Sequence, residues 1–124
     1  EEIVDRAADC MGGIDVDPAS CADANIIVQA SEFYTSEDDG LAQQWSGRVW
    51  LNPPYDLVMP WAEKLVEEID AGRVDEACVL NAPHGNALFY FGVNPAAFHA
   101  EFSELGLMFN CNAEHVQLIY GDAS

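Results

Sequence analysis

The chain has 124 residues, half of them apolar, with 22 acidic against 4 basic side chains and a net charge of −18. That length holds one domain at most, and the apolar half suffices to bury a core, which excludes a disordered chain. The charge favours high solubility and a salty milieu, and it excludes a simple cationic nucleic-acid binder, since Arg6, Arg48, Lys64 and Arg73 are the whole basic complement.

In chain order, residues 2–11 place Ile3, Ala7, Cys10 and Met11 on one helical face, and Gly12-Gly13 stops that helix. Residues 14–17, Ile-Asp-Val-Asp, alternate as a short strand that Pro18 ends. Residues 20–30 carry an apolar patch that fits helix or loop. Residues 32–47 are polar and turn-rich around Asp39-Gly40. Residues 48–51 read as an apolar strand. A helix over 60–71 follows, with Pro60 in its first turn and Gly72 as its stop. Its expected apolar stripe is Trp61, Leu65, Val66 and Ile69, and its expected wet face is Glu63, Glu67 and Glu68. Residues 77–80 form the next strand, which completes a βαβ unit and implies parallel pairing. A strand over 87–92 leads to a helix capped by Asn94 with Pro95 in first position, lined by Phe98, Phe102 and Leu105. Residues 106–111 and 115–121 are close enough to form a terminal antiparallel hairpin. The sum is an α/β domain with a mainly parallel sheet.

No run approaches the ~18 apolar residues of a membrane helix. Cys10, Cys21, Cys78 and Cys111 lack Cys-x-x-Cys spacing, and each reads as a small buried residue in a reducing, cytoplasmic setting. His84, His99 and His115 show no metal-ligand spacing, so no metal is expected.

Ligands of such sheets bind beyond the carboxyl ends of the strands. Two unusual segments fall there: Asp15-Val16-Asp17-Pro18-Ala19-Ser20 and Asn52-Pro53-Pro54-Tyr55. The two prolines fix the backbone and remove its N–H donors. The Asn52 side-chain oxygen and the Pro53 carbonyl can both accept from one –NH2 group, and Tyr55 offers a ring for stacking. This is a holder for the exocyclic amine of an aromatic base. Two acceptors leave the amine lone pair free to attack a pre-positioned methyl sulfonium, once the base has left its stack. Asp15 and Asp17, two apart in a strand, share a face, and a carboxylate at a strand end suits a cofactor hydroxyl or ammonium as well as a plain cap. No Gly-x-Gly-x-x-Gly loop is present. The run Glu37-Asp38-Asp39 reads as a solvated loop.

The segments GGIDVDPAS, FYTSEDDGLAQQW, GRVWLNPPY, PWAEKLVEEIDAGRV and GNALFYFG, in this order from about Ala8 to Tyr120, resemble the phage-type DNA N-6-adenine-methyltransferase (Dam-like) family. The resemblance implies a Rossmann-like class I methyltransferase fold with helices on both faces of the sheet, S-adenosylmethionine as methyl donor, and adenine in DNA as acceptor. It places Asn52, Pro53, Pro54 and Tyr55 in the catalytic motif. Asp15, Asp17, Pro18 and Asp39 fall on the cofactor side. The resemblance also implies phage or prophage origin and a cytoplasmic place in a bacterial, archaeal or phage-infected host cell. Two departures stand out. A Trp-x-Thr-Pro segment usual before the first helix is absent, and Val79-Leu80-Asn81 runs almost directly into Pro83-His84-Gly85 where relatives carry more chain. Either the protein is shortened there or residues are missing, in which case the backbone breaks between Asn81 and His84. The alternative reading is a catalytically inactive, acidic methyltransferase-like binding protein or DNA mimic. A third is methylation of another amine, such as that of cytosine or glutamine.

Overall fold

The computed structural model describes residues 2–54, 57–81, 86–102, 106–112 and 115–120. Among the described residues, four helices and seven strands follow in order: α1 Glu2–Met11, β1 Val16–Asp17, α2 Ala22–Val28, β2 Glu32–Phe33, β3 Gly47–Leu51, α3 Val58–Asp70, β4 Val74–Asn81, β5 Asn86–Phe91, α4 Pro95–Phe102, β6 Gly106–Asn112 and β7 His115–Tyr120. A short 3-10 turn at Gly40–Ala42 precedes β3. The α/β class expected from the sequence is the class observed.

The strands form one sheet in the order β2-β1-β3-β4-β5-β7-β6. The β1–β2, β1–β3 and β3–β4 pairings are parallel, and α3 makes the expected crossover between β3 and β4. The other pairings are antiparallel, including the expected hairpin of β6 with β7. The mainly parallel arrangement thus holds only from β2 to β4. The physical reason is connection length. A parallel partner needs a crossover of about a dozen residues or more, and only 82–85 separate β4 from β5. These strands therefore return as a hairpin, from Ala77 opposite Phe91 to Asn81 opposite Ala87. Residues 82–85, including His84, where shortening or a chain break were the two alternatives, lie outside the described residues.

Helices cover both faces. One core joins Val4, Ala7 and Met11 of α1 and Phe98 and Phe102 of α4 to Trp50, Cys78, Leu88 and Tyr90 of the sheet. The other joins Trp61 and Leu65 of α3 to Val49, Leu51 and Ala77. Successive residues of β3 thus point to opposite cores, and Val49, Trp50 and Leu51 are all buried, as a central parallel strand requires.

The helix ends follow their sequence signals. Asn94 accepts from the Ala97 N–H at 3.2 Å, with Pro95 in first position. After α3, the Gly72 N–H donates to the Ile69 carbonyl and the Arg73 N–H to Glu68, the paired bonds of a glycine-stopped helix, with Gly72 at φ 78°. Cys21 departs from expectation. It is exposed, and its Sγ accepts from the Ala24 N–H at 3.4 Å as the cap of α2. Cys10 and Cys78 are buried as expected. The side chains of Leu105 and Cys111 lie outside the described residues.

Glu68 is the main correction within the helices. Expected on the wet face, it is 1% exposed. The Trp45 N–H donates to Oε1 at 2.7 Å and Arg73 Nε to Oε2 at 2.6 Å, while Lys64 Nζ stands 3.4 Å from Oε1. Burial alone raises its carboxyl, but these bonds and charges outweigh burial and hold it below its ordinary value. Val66, expected in the stripe, is exposed instead.

Candidate functional site at the carboxyl edge of the sheet

The chain passes from β1 through α2 to β2 on one side of β1, then returns to β3 on its other side. The carboxyl ends of β1 and β3 therefore flank the point where the strand order reverses, the usual ligand crevice of an open α/β sheet. Asp17 ends β1 and Asn52 follows β3, so both lie at that crevice.

Two cavities open there. One, of about 370 Å³, is lined by Pro18, Ser20, Tyr34, Asp39, Asn52 and Trp61, among others. The second, of about 310 Å³, is lined by Asp17, Ala19, Val28, Trp50, Asn52 and Leu80, among others. Asn52 and Ala19 border both. Asn52 is exposed, and no described residue hydrogen-bonds its side-chain amide. Pro53 is buried and Pro54 exposed beside it. Tyr55 lies outside the described residues.

Asp17 is 2% exposed, and its Oδ1 has no hydrogen-bond partner among the described residues. Burial pushes its carboxyl up to about 6, with hydrogen bonding from Ser20 and the Ala19 backbone opposing the rise. A buried carboxylate with an idle oxygen is costly unless something completes it. Trp61 offers the converse. Its indole N–H is buried, lacks an acceptor among the described residues, and belongs to a residue lining the larger cavity.

Asp15 does not join these groups. β1 is only two residues long, so Asp15 stands in the bend before it, at the amino end of the strand. Arg48 donates to it three times: from the backbone N–H at 2.8 Å, from Nε at 3.0 Å and from Nη2 at 3.0 Å. That hydrogen bonding holds the Asp15 carboxyl below its ordinary value, and its oxygens brace β1 against β3. It lines neither cavity.

Asp39 and Pro18 do reach the larger cavity, through a close approach of two loops. A Cβ on Gly40 would sit 2.0 Å from the Pro18 carbonyl oxygen and 2.9 Å from the Trp61 ring, so only glycine fits. Trp45 Nε1 donates to the Gly40 carbonyl at 2.8 Å, and the Trp45 and Trp61 rings stack with centroids 5.9 Å apart. Glu68, through the Trp45 N–H, thus anchors the back of the cavity. Tyr34 and Trp61 escaped the sequence reading of the site, Trp61 because its spacing marks it as core.

An open α/β sheet with cavities at its switch point, apolar walls and a buried acid is the arrangement in which α/β domains commonly take small ligands. Residues 3–106 match the model of the family described as DNA N-6-adenine-methyltransferase (Dam). The chain belongs to that family, which makes DNA adenine methylation its class of activity. No curated protein and no solved structure matches the chain. Among the described residues, no helix is long and apolar enough to cross a membrane, and no group of acidic, histidine or cysteine side chains is placed to hold a metal.

Proposed function

We propose that the chain is an S-adenosylmethionine-dependent methyltransferase of Rossmann-like class I type, acting on the exocyclic amine of an adenine flipped from DNA. The observation that carries this reading is Asn52, bordering two cavities of which one holds the unpartnered buried carboxylate of Asp17. S-adenosylmethionine has a flat aromatic end and an ammonium-bearing end, and when bound it supplies an electrophilic methyl group on the sulfonium between them. The residues fit such a ligand. Asp17 would complete its hydrogen bonding on the ammonium, and Tyr34, Leu41 and Trp61 would enclose the aromatic end beside Pro18 and Asp39. The stretch common to both cavities lies at Asn52.

Asn52 Oδ1 and the Pro53 carbonyl accept the two hydrogens of the adenine amine, so its lone pair is turned away from them. The Pro-Pro backbone holds these acceptors rigid, and the placement contributes to the rate by removing the entropy of alignment. Tyr55 stacks the flipped base. Asp15 is left out of the cofactor set, because its oxygens are committed to Arg48.

The test is transfer of a labelled methyl group to adenine-containing DNA by the parent chain and by Asn52→Ala. Loss of about 100-fold or more, with the circular dichroism of the parent, is expected. Retained transfer, or label on cytosine, would sink the assignment.

A further inference from the structure

The sequence carries four basic side chains, and each is turned to the protein itself. Arg48 is committed to Asp15 and the Gly12 carbonyl, and Arg73 and Lys64 converge on Glu68. Arg6 donates to the Glu101 carbonyl across the α1–α4 contact. Beside the larger cavity, the exposed loop carries Glu37, Asp38 and Asp39 in succession. A DNA strand delivering a base to Asn52 meets this acidic rim while 22 acidic side chains set the wider field.

Ordinary DNA-binding proteins weaken with salt, because each Lys or Arg placed on a phosphate releases a condensed counterion. None of the four Lys and Arg side chains is available for that exchange without breaking an internal contact. Two negative surfaces brought together must instead hold cations between them, and contacts to the strand fall to neutral donors such as backbone N–H, Asn, Gln, Ser and Thr groups. We infer that this chain binds DNA with inverted salt dependence: affinity rises with monovalent salt because cations are taken up on association. The inference rests on the methyltransferase reading for the identity of the polyanion.

The experiment is fluorescence anisotropy of a labelled mixed-sequence duplex with the full chain, from about 0.2 M to about 3 M KCl, over the range in which circular dichroism shows it folded. The expected result is a Kd that falls about tenfold or more across that range. A Kd that rises with salt, or no binding at any salt, would overturn the inference. Glu37→Lys, a position lining neither cavity, should tighten binding at the low-salt end and make the slope of log K against log[KCl] less positive by about one. An unchanged slope would overturn approach past this rim. Calorimetry with S-adenosylmethionine at the same salts keeps the two readings apart. Clear cofactor binding with a conventional DNA slope removes the inversion alone, whereas absent cofactor binding by folded chain removes the methyltransferase reading.

Discussion

Replacing Asp17 by Asn tests the site through stability as well as binding. The folded chain holds this carboxyl at about 6 against an ordinary 3.8, because burial at 2% exposure disfavours the charge. Each pKa unit between folded and unfolded states corresponds to 1.36 kcal/mol, so ionised Asp17 costs the fold about 3 kcal/mol at neutral pH in the absence of ligand. The sign follows from proton counts. Between about pH 4 and 6 the folded state holds the proton that the unfolded state has lost, so stability falls as pH rises through this window, and above it the whole cost is present. Asp17→Asn keeps the shape and removes the charge. It should be more stable than the parent by up to about 3 kcal/mol at about pH 8, and the gap should close near pH 4. Urea denaturation of both chains at one fixed KCl concentration measures it. The same variant should lose S-adenosylmethionine affinity in calorimetry, and the parent's own affinity should drop as pH falls below about 6. A variant less stable than the parent at pH 8, or a gap that ignores pH, would refute the desolvated carboxylate. Unchanged cofactor affinity would refute its role in binding.

Glu68→Ala removes a buried carboxylate and leaves the buried Trp45 N–H unsatisfied, while Arg73 and Lys64 turn to solvent, so urea denaturation should show a loss of about 2 kcal/mol. Less than about 1 kcal/mol would mean the cluster is well solvated. Gly40→Ala forces its methyl into the Pro18 carbonyl, and calorimetry should show weakened cofactor binding together with a lowered melting temperature; an unchanged affinity would show that the two loops separate freely. Arg48→Met removes the partner that depresses Asp15, and since that pair is partly exposed the loss at neutral pH should be about 1 kcal/mol. A depressed carboxylate contributes stability above its ordinary range and loses it on acidification, so the Arg48→Met difference should shrink below about pH 4.

What the sequence disclosed, and what it hid, divides along physical lines. The helices α1, α3 and α4 and the strand β3 were readable because apolar spacing, caps and stops agreed with one another at each. β2 was not, because Glu32-Phe33 is too short to show alternation and lies among polar residues. The antiparallel β4–β5 pairing was present in the sequence as a connection too short for a crossover, a signal of length rather than of composition. The end of β3 at Leu51 and the place of Asn52 beside two cavities were legible, because prolines at a strand end constrain the backbone strongly enough to be interpreted locally. The shared face of Asp15 and Asp17 presumed a strand that includes both, whereas β1 begins only at Val16 and Asp15 accepts from Arg48. Glu68 lies seven residues after Trp61 and three after Leu65, which is core spacing, and its charge masked what its position indicated.

The two buried acids, Glu68 and Asp17, carry the distinction between scaffold and site. Both are nearly inaccessible, at 1% and 2%. Glu68 draws two of the four basic side chains and a backbone N–H, and its carboxyl is held below its ordinary value. No ion pair among the described residues reaches Asp17, and its carboxyl is held up. In a chain with a net charge of −18, a buried acid cannot count on stray cations of its own protein. A fold that commits its few cations to Glu68 and Asp15 while leaving Asp17 bare at a strand-end cavity leaves the counter-charge to come from outside. The ammonium of the proposed cofactor would meet that need, and the two buried carboxylates differ in what the described residues supply: Glu68 has two cations and a backbone N–H, and Asp17 has no cation.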